Sequence, residues 1–369
     1  MLSDNKRLLS FGIVITFALL LASCGNANSA EVQNTRFADD FKYKTYDSYT
    51  EISGYTGVGG NVKIPDKIDS LPVKSIASEA FYSCETLTSI TIPQTVETIG
   101  EKAFYNCSSL ESIAFSDNIA KIGSFAFKNT AWLSEQSDEF VIVGDGVLVD
   151  YRGTSQKVVI PEGVTTFEDA FADNYSITSI SLPSTLKSMG DGAFYACTII
   201  KEIGIENNSR FTVENNALYN ADKTTLIYRP AQAGGDEFIV SDGVTELSPF
   251  AFSNNTKLKR VVLPQSLKKI GEYCFDYCTA LEEIDIPDKT EALGKYAFNY
   301  CSSLKRLTLG KRIEKIPEGA FSSCKNLNHV VIPVNVRIID KNAFYYCNSL
   351  QDIKIPDSTS VDDNAFTGG

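Results

Sequence analysis

Histidine is almost missing from this chain: His329 is the only one in 369 residues. A Ser-His-Asp or Cys-His catalytic set would have to be built around that single imidazole. No Gly-x-Ser-x-Gly, phosphate-loop or His-Glu-x-x-His motif is present either. Zinc sites of mixed cysteine and histidine are disfavoured for the same reason. No enzymatic activity, cofactor or metal is therefore expected. Basic residues are in deficit, 34 against 46 acidic, which leaves a net charge of -12. Such a surface repels phosphate backbones and argues against a nucleic-acid partner. Long apolar runs are also scarce, with one exception near the start.

That run, Leu8 to Leu21, follows Lys6 and Arg7 and covers 14 residues, short of the roughly 20 that a permanent membrane span requires. It ends in Leu21-Ala22-Ser23-Cys24-Gly25. Small residues and one cysteine at this point resemble the bacterial lipobox, in which the signal is cut before the cysteine and the cysteine is acylated. The resemblance implies a lipoprotein signal peptide over residues 1–23 and lipidation of Cys24. Each buried CH₂ of an anchor contributes about 0.8 kcal/mol, so two or three acyl chains hold a protein where one does not. Residues 24–36, small and polar, read as the lipidated cysteine and a flexible tether. The expected location is outside the cell, anchored to the cell membrane or outer membrane.

The body of the chain, residues 37–369, is repetitive. An Ala-Phe pair recurs with its phenylalanine at Phe81, Phe104, Phe127, Phe171, Phe194, Phe252, Phe275, Phe298, Phe321, Phe344 and Phe366. Most spacings are 23 residues, the exceptions being 22, 44 and 58; Cys274 replaces the alanine once. One unit reads Leu87-Thr-Ser-Ile90-Thr-Ile92-Pro93, then Val96, Ile99-Gly100 and Ala103-Phe104-Tyr105-Asn106-Cys107. Alternating β-branched residues up to Ile92 predict a short strand, and Pro93, lacking an N–H, ends it. Gly100 permits a tight turn, and the Ala-Phe segment is expected to return as a short helical or irregular piece. One coil offers about seven inward apolar side chains at roughly 1.5–3 kcal/mol each. Ordering about 23 backbone residues costs roughly 1–2 kcal/mol apiece. A lone coil cannot fold, and stacking is obligatory.

Leu-x-x-Ile-x-Ile-Pro, Ile-Gly and Ala-Phe-x-x-Cys at this period resemble the BspA-type leucine-rich repeat, over about residues 50–369. The resemblance implies a right-handed curved solenoid with short parallel strands, display on a bacterial surface, and adhesion to host proteins or other cells. The expected partner is accordingly a protein or glycan on a host or neighbouring cell, bound by a monomeric protein. A glycan-binding module or an envelope-associated scaffold is the alternative. Residues 37–75 are expected to form an atypical first coil that covers the open end. Two enlarged coils, 128–166 and 205–248, carry hairpin signals around Gly144-Asp145-Gly146 and between Ala217 and Tyr228. The repeat phenylalanines are expected to line up in one continuous file.

Three sets of residues are candidates for function. Cys84, Cys107, Cys197, Cys278, Cys301, Cys324 and Cys347 all lie three residues after the repeat phenylalanine. They read as a buried thiol ladder in a slot that favours small side chains, with disulfides between neighbours such as Cys278 and Cys301 left open. A row of tyrosines, among them Tyr82, Tyr105, Tyr277 and Tyr300, reads as cover between coils or as a platform for sugars and peptides. The outward strand slots of the C-terminal half hold Arg260, Glu283 and Asp285, Arg306 and Thr308, His329, then Asp352 and Lys354. These residues form the candidate partner-binding set. In neighbouring strands their charges either neutralise one another or present a mixed-charge patch.

Overall fold

The structure is a computed structural model and describes residues 33–368. The signal segment, Cys24 and the first part of the tether lie outside the described residues. The tether is shorter than expected at its far end, because Gln33–Ala38 is already a β-strand, paired antiparallel with Phe41–Thr45. Phe41–Thr45 pairs in turn with Thr50–Tyr55, and this meander closes the N-terminal end of the stack. Its aromatic rings complete the seal: Tyr55 stacks on the first repeat phenylalanine, Phe81, at 5.2 Å, and Phe41 meets Phe81 edge-on at 6.4 Å.

Beyond the meander the chain winds as a parallel-strand solenoid of about 23 residues per coil. Each regular coil adds one strand of three to five residues to a first column. Glu237–Ile239, Arg260–Val262, Glu283–Asp285, Arg306–Thr308, His329–Val331 and Asp352–Lys354 form its longest stack. Period-2 alternation decides which side faces in: Val261, Ile284, Leu307 and Val330 are buried, and their flanking residues point outward.

Two further columns complete each coil, the first of them not foreseen. Pairs such as Thr98–Ile99, Lys121–Ile122, Lys269–Ile270 and Ala292–Leu293 form a second parallel ladder of two-residue strands. The Ala-Phe return is a third. It is not helical; Ala131–Ser134 is the only α-helix among the described residues. Instead the return alternates right- and left-handed residues. Tyr273, Tyr277, Tyr296 and Tyr300, two places before and after the repeat phenylalanine, all have φ between 53° and 56°. A left-handed non-glycine residue costs about 1–2 kcal/mol, and here the geometry is offset by hydrogen bonds to the next coil. Tyr273, Phe275 and Tyr277 donate their N–H groups to the carbonyls of Lys295, Ala297 and Asn299 at 3.0, 2.7 and 3.0 Å. The residues between them fold back on their own turn, as Asp276 N–H does to Tyr273.

The file of phenylalanines is correspondingly tight but not continuous. Phe81, Phe104 and Phe127 stack at 4.8 and 5.4 Å, and Phe252 to Phe366 form a six-ring stack at 4.8 to 5.4 Å. Phe171 and Phe194 stand between them, 6.1 Å apart. The breaks fall at the two long spacings, where the inserted chain runs straight through as Val147–Tyr151 or Thr225–Tyr228 and makes no Ala-Phe turn. Buried side chains therefore gather in three cores, Phe41 to Val147, Leu148 to Tyr228, and Ala217 to Ala365. In the first insertion Phe140–Val143 pairs antiparallel with Val147–Tyr151 across Gly144-Asp145-Gly146. The second contains three antiparallel strands, Phe211–Glu214 joining Ala217–Asn220 and Thr225–Tyr228.

Candidate binding face

The outward slots of the longest strand stack lie in direct register: Glu237, Arg260, Glu283, Arg306, His329 and Asp352 face one another in succession. Their charges are largely spent on each other. Arg260 stands 3.6 Å from both Glu237 and Glu283, and Arg306 bonds Glu283 from the other side. A second row runs alongside, with Lys259 3.5 Å from Asp236 and Lys305 3.1 Å from Glu282. Four cations thus oppose four anions, all substantially exposed. Pairs of this kind contribute between zero and about 1 kcal/mol each, and they leave little free charge for a ligand. Of the sequence candidates, Arg260, Glu283 and Arg306 belong to this ladder. Asp285 is exposed beside it.

Past Arg306 the character of the face changes. A hollow of about 530 Å³ opens across the two coils that carry Arg306 and His329. Its floor and walls are mostly aliphatic, with Val331 57% and Val334 77% exposed. Thr308 and the cationic residues Arg306 and Lys311 sit on its margin together with His329. Lys311 is held by Asp288 at 2.6 Å. Asp352 and Lys354 pair in register with His329 and Val331 in the next strand and lie outside the lining of the hollow.

A local sequence departure accompanies the opening. Neighbouring coils end their strands with Pro264, Pro287, Pro333 and Pro356, whereas this coil has Gly310 after Leu309. A Cβ at Gly310 would collide with the carbonyl of Pro287. With no side chain at 310, one apolar cover is lost, and Pro333 in the following coil is half-buried where Pro264 and Pro287 are buried. Gly310, Lys311, Val331 and Val334 were absent from the sequence-derived set. The legible signal was the missing proline, followed by an aliphatic residue in an outward slot.

The thiol slot has a sharper chemistry than small size. The thiols of Cys107, Cys197, Cys278, Cys301, Cys324 and Cys347 donate to the carbonyl of the repeat phenylalanine one coil earlier, at 2.9 to 3.2 Å. Asn255 fills the same slot and donates its amide to the Arg229 carbonyl at 3.2 Å. The slot selects a donor that fits. All eight cysteines among the described residues are free thiols, and burial pushes the thiols of Cys107, Cys197 and Cys347 up to about 12.

The tyrosines stack ring on ring along the solenoid: Tyr277 on Tyr300 at 4.5 Å, Tyr273 on Tyr296 at 5.0 Å, Tyr82 on Tyr105 at 5.4 Å. Their faces cover each other. Tyr82, Tyr277 and Tyr300 nevertheless remain 40–46% exposed.

Comparison with known proteins agrees with this architecture. The sequence matches the BspA type Leucine rich repeat region, in six copies, over residues 61–138, 151–233 and 245–369. A leucine-rich repeat protein from Eubacterium ventriosum superposes with a TM-score of 0.54 at 23% identity, covering 90% of this chain and 93% of the other. A leucine rich cell surface protein from Faecalibacterium prausnitzii gives a TM-score of 0.45 at 25% identity, covering 92% and 93%. The pneumococcal vaccine antigen PcpA gives 0.45 at 22% identity, covering 90% and 93%. A comparison with curated proteins finds no match.

Proposed function

Since this chain belongs to the BspA-type leucine-rich repeat family, we propose that it is a non-enzymatic surface protein that captures a protein partner through the C-terminal part of its strand column. The observation that carries this reading is the hollow beside Gly310. It is an exposed aliphatic floor with cations at its margin, next to a charge ladder that satisfies itself. Apolar anchors in a concave site supply binding energy, and surrounding charges set orientation. The aliphatic floor favours an occupant with an apolar side chain, while Arg306 and Lys311, already paired with Glu283 and Asp288, form a polar rim around it. The N-terminal segment completes the proposal: acylation of Cys24 tethers the chain outside the cell, with the solenoid projecting from the membrane.

The test uses the purified full chain and intact host or bacterial cells. Val331→Asp with Val334→Asp should cut retention on cells at least tenfold and leave the melting temperature unchanged, because both side chains are exposed. Equal retention would remove the hollow as the binding face. Anchoring is checked separately: Cys24→Ala should move the protein from the membrane fraction to the soluble one.

A further inference from the structure

The two insertions create two comparable wedges in the turn column, and only one of them is closed. At the second, Arg229 N–H takes the Ala251 carbonyl, a position that the preceding turn would otherwise occupy. The gap is then filled by aromatic side chains: Tyr195 meets Phe250 at 5.3 Å, and about 10 Å³ remains. At the first, Tyr151 N–H takes the Ala170 carbonyl in the same way. Here the residue two before the repeat phenylalanine is Asp169 rather than phenylalanine, and the residues directly after Phe127 and Phe171 are Lys128 and Ala172 rather than tyrosine. The wedge stays open, with a volume of about 520 Å³.

What faces that space is unfinished hydrogen bonding; the N–H groups of Phe194 and Ala196 at the second wedge also lack an acceptor among the described residues, but there side chains fill the space. In the coil before, Phe104 and Asn106 donate to Ala126 and Lys128 at 2.8 and 3.0 Å. One coil on, Phe125 N–H finds only a side chain, Asp169 Oδ2, at 3.0 Å. Among the described residues the N–H groups of Phe127 and Asn129 have no acceptor, and both residues line the wedge. Phe127 is buried, where an unpaired donor costs about 1–3 kcal/mol, and Asn129 is exposed, so an occupant gains most by accepting from Phe127 and completes the rung by reaching Asn129 as well. The Asp169 carboxylate, which takes the N–H of Phe125 and its own backbone N–H, has further lone pairs to accept from the same occupant.

Two donors beside one acceptor complement a secondary amide. A phosphorylated ligand is opposed by Asp150, Glu168, Asp169 and Asp173, which outnumber Lys128 and Arg152 around the wedge. Arg152 is in any case committed, to Asp150 at 3.4 Å and to the Leu133 carbonyl at 2.9 Å. An apolar ligand would leave the buried Phe127 amide without an acceptor. We propose that the wedge is a second binding site, specific for an extended peptide segment that supplies the missing rung. The peptide's carbonyls accept from Phe127 and Asn129, and its N–H donates to Asp169.

The chain carries its own reporter. Trp132 is the only tryptophan, and its ring lies 5.2 Å from that of Phe127. Titration of the full chain with N-acetyl-trialanine amide should give a saturable change in tryptophan fluorescence. Ala172→Tyr fills the wedge with the residue found at the same slot one coil later, Tyr195, and should weaken the response at least tenfold. Asp169→Asn keeps an oxygen for Phe125 N–H but removes the carboxylate, and should weaken it several-fold at unchanged melting temperature. The proposal is overturned by any of three outcomes: no saturation below about 10 mM, an equal response in Ala172→Tyr, or the same response to sodium acetate or N-acetylglucosamine alone. Failure here would leave the strand-column hollow untouched, since the two sites share no residue.

Discussion

The thiol of Cys301 donates to the carbonyl of Phe275, 3.2 Å away and 26 residues earlier. The same carbonyl also accepts from Cys278 N–H at 3.1 Å, so the thiol satisfies its second lone pair in a fully buried site. Cys301→Ala removes that bond and leaves a small void, an expected loss of about 1–2 kcal/mol in urea unfolding. Cys301→Ser retains a donor and should lose less. If serine proved the worse of the two, the hydrogen-bonding account of the slot would be wrong.

Reactivity follows from the same ladder. Burial holds Cys278, Cys301 and Cys324 well above an ordinary thiol, while Cys84 is only half-buried. Only thiolate reacts at an appreciable rate. In a variant lacking Cys24, a thiol-exchange reagent should therefore label one fast equivalent, Cys84, under native conditions. The remainder should react only on unfolding.

Coil spacing is enforced at particular glycines. A Cβ on Gly294 would collide with backbone atoms of Glu272 and Gly271 in the preceding coil, whereas one on Gly192 meets nothing within 4 Å. Gly294→Ala should cost about 1–3 kcal/mol through overpacking. Gly192→Ala should stabilise by about 0.4–1 kcal/mol by restricting the unfolded chain. Thermal melts of the two variants should move in opposite directions.

Asp276 is 6% exposed, and burial pushes its carboxyl up to about 6 despite a hydrogen bond from Asn299 at 2.9 Å. In the unfolded chain it titrates near its ordinary value of 3.8. Between these values the folded state binds the extra proton, so stability falls as pH rises from about 4 to about 6 and stays lower above that. The difference amounts to roughly 3 kcal/mol. Asp276→Asn still accepts from Asn299 and cannot ionise. Its stability advantage over wild type should be absent near pH 4 and full by pH 7, as read by denaturant unfolding across that range.

Glu283 bridges two arginines in the exposed ladder. Glu283→Ala should cost less than about 1 kcal/mol, and the loss should shrink further in 1 M salt. A large, salt-insensitive loss would mean that the ladder is a structural element rather than a solvated face.

Much of this architecture was legible because its signals are periodic. The phenylalanine spacing marks the coil, and alternation through Arg260-Val261-Val262 or His329-Val330-Val331 separates inward from outward residues. What escaped is what periodicity does not carry. Two-residue strands such as Lys269–Ile270 are too short to show alternation. The left-handed residues of the return are tyrosines and serines as often as asparagine, so residue type does not announce them; neighbouring coils impose them. Within the binding face, the outward register of Arg260, Glu283 and Arg306 could be read directly. The hollow left one trace, Gly310 where neighbouring coils have proline, and that trace interrupts the period instead of following it.

The division into three cores has a mechanical meaning. A chain held at its N-terminal end and gripped near Val334 would carry load along its whole length. Each core is cooperative within itself, but the seams at Tyr151 and Tyr228 are bridged by fewer ring contacts, so tension would part the stack in stages. Each stage would lengthen the molecule while leaving the third core, with Val330 and Ile332 in it, packed, and the two seams would act as shock absorbers in series.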